Sequence, residues 1–191
     1  AGVEARLIRT GFVGELGYEI HVPQHLAQNV WTALMEAGEA LGIAPFGVEA
    51  QRLLRLEKGH VIIGQDTDAM TTPMELDMGW ALAWKKPFFL GKRTLQDLQK
   101  IGQPRKLIGF TIKTAGSPVP KESHLLIDDT HDKMIGRVTS CAYSPVLSEI
   151  VGLALLEDLS KSETGSLIKI RCDGGGLVDA TVTAAPFYDP E

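Results

Sequence analysis

Arg9-Thr10-Gly11-Phe12-Val13-Gly14-Glu15-Leu16-Gly17-Tyr18-Glu19-Ile20 places three glycines within seven residues, then alternates side chains through Tyr18, Glu19, Ile20, His21 and Val22. Glycines at that density let a backbone take positive φ and approach a ligand closely, and the period-two alternation reads as the strand that leaves the turn. Leu7 and Ile8 form the strand that enters it. Glu19 therefore sits on a strand, held rigidly beside an aromatic ring. A carboxylate has two acceptor oxygens, so it suits a pair of parallel N–H donors such as a guanidinium or the 2-amino-4-oxo edge of a pterin. Spacing alone favours a plainer reading, a tight hairpin turn with a solvated Glu19 on its outer face.

The remaining composition narrows the function classes. The chain of 191 residues suits one large or two small domains, and 44% hydrophobic with 23% charged residues is ordinary for a folded globular protein. No apolar run approaches the roughly 18 residues a membrane helix needs. A net charge of −5 argues against a nucleic-acid partner, because no cationic excess is present to release counterions. Cys141 and Cys172 lie far apart in no C-x-x-C arrangement, so neither a disulfide framework nor a thiolate zinc site is expected, and a reducing cytoplasm is the simplest home.

Outward from the opening stretch, Leu26, Val30, Leu34, Ala37 and Leu41 recur at intervals of three and four, which predicts an amphipathic helix over 24–41 stopped by Gly42. A second, shorter helix is expected over 47–57, ending at Gly59, and a third over 91–101 with Gly102 and Pro104 as terminators. Between them, Val61-Ile62-Ile63-Gly64 reads as a short strand inside a long irregular loop. Beyond Gln103 the texture changes to short apolar runs at 107–112, 125–127, 135–140, 150–156, 167–172 and 177–183, separated by Gly, Pro, Asp and Ser clusters. That spacing predicts a small barrel or sandwich. The fold class is thus α+β, with a boundary placed between 1–103 and an all-β part at 104–191.

Other chemistry-bearing residues favour plain readings. His21 and His25 have metal-pair spacing, but Pro23 breaks the helix such a pair needs, so no metal site is expected. His60, His124 and His131 read as solvated histidines near turns. Asp66, Asp68, Glu75 and Asp77 read as a solvated acidic loop without calcium-loop spacing. Arg55 and Glu57 read as a local pair near a helix end. Gly174-Gly175-Gly176 reads as a hairpin turn, and Ser140 and Ser144 have no His placed to activate them.

Taken together, the opening stretch, Leu54-Arg55-Leu56-Glu57-Lys58-Gly59, Gly64-Gln65-Asp66-Thr67-Asp68 with Thr72-Pro73, Phe88-Phe89-Leu90-Gly91-Lys92-Arg93, Gly136-Arg137-Val138-Thr139-Ser140 and Pro186-Phe187-Tyr188-Asp189-Pro190 resemble the glycine-cleavage T-protein (aminomethyltransferase) superfamily of tetrahydrofolate-binding proteins. The likeness covers essentially the whole chain. The wording of 53–60, 64–68 and 84–93 is most similar to the C-terminal folate domain of the heterotetrameric sarcosine oxidase α subunit. The resemblance implies the C-terminal part of a T-protein-like folate-binding domain followed by a small β-barrel domain. It also implies tetrahydrofolate as cofactor, with Phe12, Glu19, Gln51, Arg55 and Tyr188 as cofactor-binding residues and no catalytic residue assigned. Glu19 would accept the pterin N–H pair, Phe12 would pack on the cofactor, and Tyr188 would lie near the site. T-proteins carry a folate-contacting Arg where this sequence has Gln51; the neighbouring Arg52 points about 100° away on a helix.

The function so implied is a one-carbon transfer module of the sarcosine oxidase α type: oxidative demethylation of a small secondary amine, with capture as 5,10-methylenetetrahydrofolate. FAD and NAD would then act in other domains or subunits, since no Gly-x-Gly-x-x-Gly loop occurs here. The larger N-terminal half of the folate domain, with the acidic residue that handles the folate proton, would lie outside these residues, leaving the isolated piece inactive. The alternatives are an aminomethyltransferase served by a lipoyl carrier protein and a non-catalytic folate-binding module, the latter marked in relatives by a Cys motif that Val138-Thr139-Ser140-Cys141 does not match.

Overall fold

A computed structural model describes residues 2–113, 116–131 and 133–189. Pro190, the last residue of the closing motif, lies outside them. The chain forms two compact units, Ala1–Arg55 and Leu56–Glu191, a division upstream of the change in texture near Gln103.

In the first unit, β1 (Arg6–Arg9) pairs antiparallel with β2 (Tyr18–His21), with Leu7 opposite Ile20 and Ile8 opposite Glu19. The expected amphipathic helix is present as α1 (Ala27–Gly38), extended by 3-10 turns at Gln24–Leu26 and Glu39–Leu41 and closed by Gly42 in the left-handed region. The second helix, α2 (Val48–Glu57), begins in this unit. Among the described residues up to Arg55, no apolar side chain is fully buried; Leu7, Tyr18, Ile20, Trp31 and Leu34 are exposed.

The second unit holds the core. Residues 58–91 run irregularly, with one 3-10 turn at Gly79–Ala81, into α3 (Lys92–Ile101). The expected strand at 61–64 is instead a series of turns: the Ile62 N–H, which a strand would offer to a neighbouring ladder, donates to Asp66 Oδ2 at 2.8 Å. Six strands follow, β3 (Lys106–Ile112), β4 (Leu125–Ile127), β5 (Met134–Ser144), β6 (Glu149–Leu156), β7 (Leu167–Arg171) and β8 (Leu177–Thr183). They close an antiparallel barrel in the order β3-β6-β5-β4-β7-β8, which decides between the barrel and the sandwich. Phe110, Leu126, Val138, Ala154, Leu156 and Ile170 fill the interior.

β6 is buried on both faces, as its near-continuous apolar run requires. Ile150, Ala154 and Leu156 point into the barrel, while Val151 and Leu153 pack outward against Leu56, Leu107 and Phe187. The backbone of the closing segment is tied to the same place, since the N–H groups of Phe187 and Tyr188 both donate to Glu57 O at 2.8 and 2.9 Å.

Candidate functional site

The glycine-rich turn is built largely by close approach. Thr10 N–H donates to Gly17 O at 3.2 Å, closing the loop onto the β1–β2 ribbon. A Cβ on Gly11 would lie 2.8 Å from Glu15 O, and one on Gly17 would lie 2.7 Å from Thr10 O, so both positions exclude a side chain. Of the three glycines only Gly14 has positive φ, at 90°. The turn is therefore closely packed on its own backbone, and Glu19 follows it on β2. Its side chain is 59% exposed, and Oε2 accepts from His21 Nε2 at 3.0 Å. Phe12 is half-buried at the bend.

Gln51 and Arg55 are four residues apart on α2 and so share one side of that helix. Gln51 is half-buried and Arg55 is 2% exposed. Arg52, the nearby alternative cation, is exposed and lies 3.8 Å from Glu49 one turn back. Tyr188 belongs to the second unit, where it is 38% exposed and anchored through its backbone to Glu57. The ribbon with its turn thus brings Phe12 and Glu19 onto one element, α2 carries Gln51 and Arg55, and Tyr188 stands in the barrel unit.

Two acidic residues read as solvated, Asp66 and Glu75, are in fact buried. Asp66 is 0% exposed: its Oδ1 accepts from Thr139 Oγ1 at 2.6 Å and Ser140 Oγ at 2.5 Å, in addition to the Ile62 bond. Adjacent strand residues normally face opposite ways, but the register shift between Val138 and Ser140 lets both hydroxyls reach one oxygen. Gln65 Nε2 reinforces this clamp by donating to Ser140 Oγ at 3.0 Å. Glu75, 1% exposed, accepts from Arg105 Nε at 2.7 Å and from Thr72 N at 2.5 Å. Thr72-x-x-Glu75 has the spacing of a capping box, a sequence signal that could have flagged Glu75. Asp68 and Asp77 are exposed, as expected. Glu57 is buried and accepts from Ser144 Oγ at 2.6 Å, so it too is more than a local helix-end partner of Arg55. His124 is also not solvated; it accepts from Lys121 N at 3.0 Å and lies 3.1 Å from Asp173.

Arg105 joins Glu75 to Asp68, donating to both Asp68 oxygens at 2.8 and 2.9 Å. That fork, with the Thr71 hydroxyl, holds the Asp68 carboxyl well below its ordinary value of 3.8. Its stabilisation is fully present above that ordinary value and is lost as pH falls below it, through the depressed folded value. Thermal unfolding midpoints measured from about pH 6 to pH 2 should therefore fall less steeply for Asp68→Asn than for the unaltered protein. Equal slopes would refute the assignment. Cys141, packed against the barrel core, has its thiol pushed up to about 12, chiefly by burial. It is a poor nucleophile, unlike a cysteine kept for reactivity. Among the described residues no group of three or more His, Cys, Asp or Glu is placed to hold a metal ion, and no helix is long and apolar enough to cross a membrane.

Residues 1–86 match the GCVT N-terminal domain, and residues 105–189 match the glycine cleavage T-protein C-terminal barrel domain. The chain belongs to the glycine-cleavage T-protein family. Among its relatives, an aminomethyltransferase of Halothermothrix orenii is 41% identical over 88% of the chain and 46% of its own length. The sarcosine oxidase subunit alpha of Corynebacterium sp. (strain P-1) is 35% identical over 100% of the chain and 20% of its own length. The crystal structure of aminomethyltransferase T from Bartonella henselae superposes with a TM-score of 0.85 at 24% identity, covering 96% of this chain and 49% of that one, a likeness of fold. This T-protein family chain thus spans about half the length of those aminomethyltransferases. The likeness does not single out the sarcosine oxidase type, because relatives of both kinds match nearly the whole chain.

Proposed function

We propose that this chain is the C-terminal portion of a tetrahydrofolate-dependent one-carbon transfer module and that Glu19 is its pterin anchor. The observation that carries the reading is a carboxylate on a strand, more than half exposed, following a turn too closely packed to admit side chains at Gly11 and Gly17. The donor set fits the cofactor: Glu19 supplies only acceptors, which match the pterin's adjacent N–H groups, and half-buried Phe12 offers an apolar ring beside them. Losing such a paired contact strands polar groups on both sides, so it discriminates strongly. Gln51, Arg55 and Tyr188 complete the proposed set, with Gln51 contributing an amide where T-proteins place a cation.

Tetrahydrofolate, when bound, supplies the nitrogen nucleophile that takes up the one-carbon unit. The residues of this chain bind and orient it. The acidic group that manages the nitrogen's proton is assigned to chain beyond these residues, together with the apolar surface that would cover Leu7, Tyr18, Ile20 and Trp31. Two settings are compatible. In the sarcosine oxidase setting, which Gln51 favours, FAD and NAD act in other domains or subunits and a small secondary amine is the substrate. In the aminomethyltransferase setting, favoured by the 41% identity, a lipoyl carrier protein delivers the methylene. A purely folate-binding module of the thiol-bearing kind is disfavoured by Cys141, which is half-buried against the barrel core. The two cysteines, both free, fit a reducing, cytoplasmic location.

Isothermal titration of tetrahydrofolate into the full-length polypeptide carrying this sequence tests the anchor. Glu19→Ala should weaken binding by roughly ten- to a hundredfold, the range of a charge-assisted contact. Absence of binding, or binding indifferent to the substitution, would overturn the reading. Turnover with sarcosine and a flavin partner, as against an aminomethyl carrier, separates the two settings.

A further inference from the structure

We infer that His21 is a positioning residue for the Glu19 carboxylate, setting its orientation for the bound pterin; this rests on the folate reading above. Residues 19 and 21 are two apart on β2, so their side chains leave the same face of the ribbon. His21 Nε2 lies 3.0 Å from Glu19 Oε2. A carboxylate only accepts, so the imidazole donates through Nε2. Across the ribbon this face also carries Ile8, opposite Glu19, and Arg6, opposite His21. Ile8 offers the carboxylate no hydrogen-bond partner.

The pair has little to do with holding the fold together. Both side chains are more than half exposed, at 54% and 59%, and exposed pairs of this kind contribute little stability. What the bond does accomplish is conformational. An exposed Glu on a strand is otherwise free to change rotamer, and the bond to His21 restricts where its oxygens point. The bond to His21 engages one lone pair of Oε2. It leaves the other lone pair and both on Oε1, which is what a parallel N–H pair requires. Ordering the carboxylate before binding removes that cost from the association step.

The test uses binding of 5-formyltetrahydrofolate to the full-length polypeptide, with four variants: His21→Ala, His21→Gln, Glu19→Ala and Glu19→Ala combined with His21→Ala. His21→Ala should bind roughly three- to tenfold more weakly, as the loss of one hydrogen bond predicts, with its thermal midpoint unchanged. His21→Gln, which retains a side-chain N–H donor, should recover affinity to within about twofold. In the Glu19→Ala background, His21→Ala should change affinity no further, because its effect passes through the carboxylate. Unaltered affinity of His21→Ala, or an equal loss in both backgrounds, overturns the inference while the Glu19 anchor stands. Indifference of binding to Glu19→Ala removes the anchor and this inference with it.

Discussion

A Gly152→Ala variant should lose on the order of 3 kcal/mol of stability, the upper part of the range for overpacking a closed core. Gly152 on β6 is directly opposite Phe110 on β3, whose ring is fully buried inside the barrel. A Cβ at 152 would lie 2.3 Å from Phe110 Cζ and 2.8 Å from Ser140 O on β5. The ring could turn aside in an open sheet, but here it is surrounded by close-packed neighbours, and the second clash is with backbone. Urea unfolding of the full-length polypeptide, followed by near-ultraviolet circular dichroism, measures the loss. A Phe110→Leu background, in which the far ring atoms are gone, should make the same glycine substitution markedly less costly. A change below about 0.5 kcal/mol would show that the barrel yields where its packing says it cannot.

Asp66→Ala should cost a comparable amount, on the order of 3 kcal/mol, by a different route. Three donors, Ile62 N–H and the hydroxyls of Thr139 and Ser140, converge on this one carboxyl group. Thr139 retains a second acceptor in Leu153 O at 3.2 Å, so its loss is partly compensated. The Ser140 hydroxyl would lose its 2.5 Å bond to the carboxylate, and the clamp from the loop to β5 would loosen. Asp66→Asn, which keeps one acceptor oxygen, should recover about half of the loss. Amide hydrogen exchange distinguishes this from uniform destabilisation: Ile62, Gln65 and Asp66 should exchange faster than the β6 amides. A uniform increase across the barrel would count against the clamp.

The two substitutions mark where the sequence could be read and where it could not. Six strands, three helices and the hairpin were legible because each rests on a local rule: period-two alternation at 177–183, apolar spacing of three and four at 26–41, glycine after the last helical turn at 42 and 59. Glu19 could be placed on its strand for the same reason. The loop at 61–75 departs from its local pattern because its determinants are not local. Val61-Ile62-Ile63 has strand composition, yet the Ile62 N–H is claimed by Asp66, whose carboxylate is held by Thr139 and Ser140 from more than seventy residues away. No window of sequence contains that pairing. The closure of the barrel and the burial of Glu75 beside Arg105 are likewise tertiary outcomes. By itself the sequence determined the hairpin, the three helices and the six barrel strands, and that Glu19 follows the glycine turn on a strand, since backbone propensity and side-chain period act within a few residues. Only the tertiary structure decided which acids are buried and which hydroxyls and cations hold them, because burial and long-range hydrogen bonds depend on what the folded chain brings alongside.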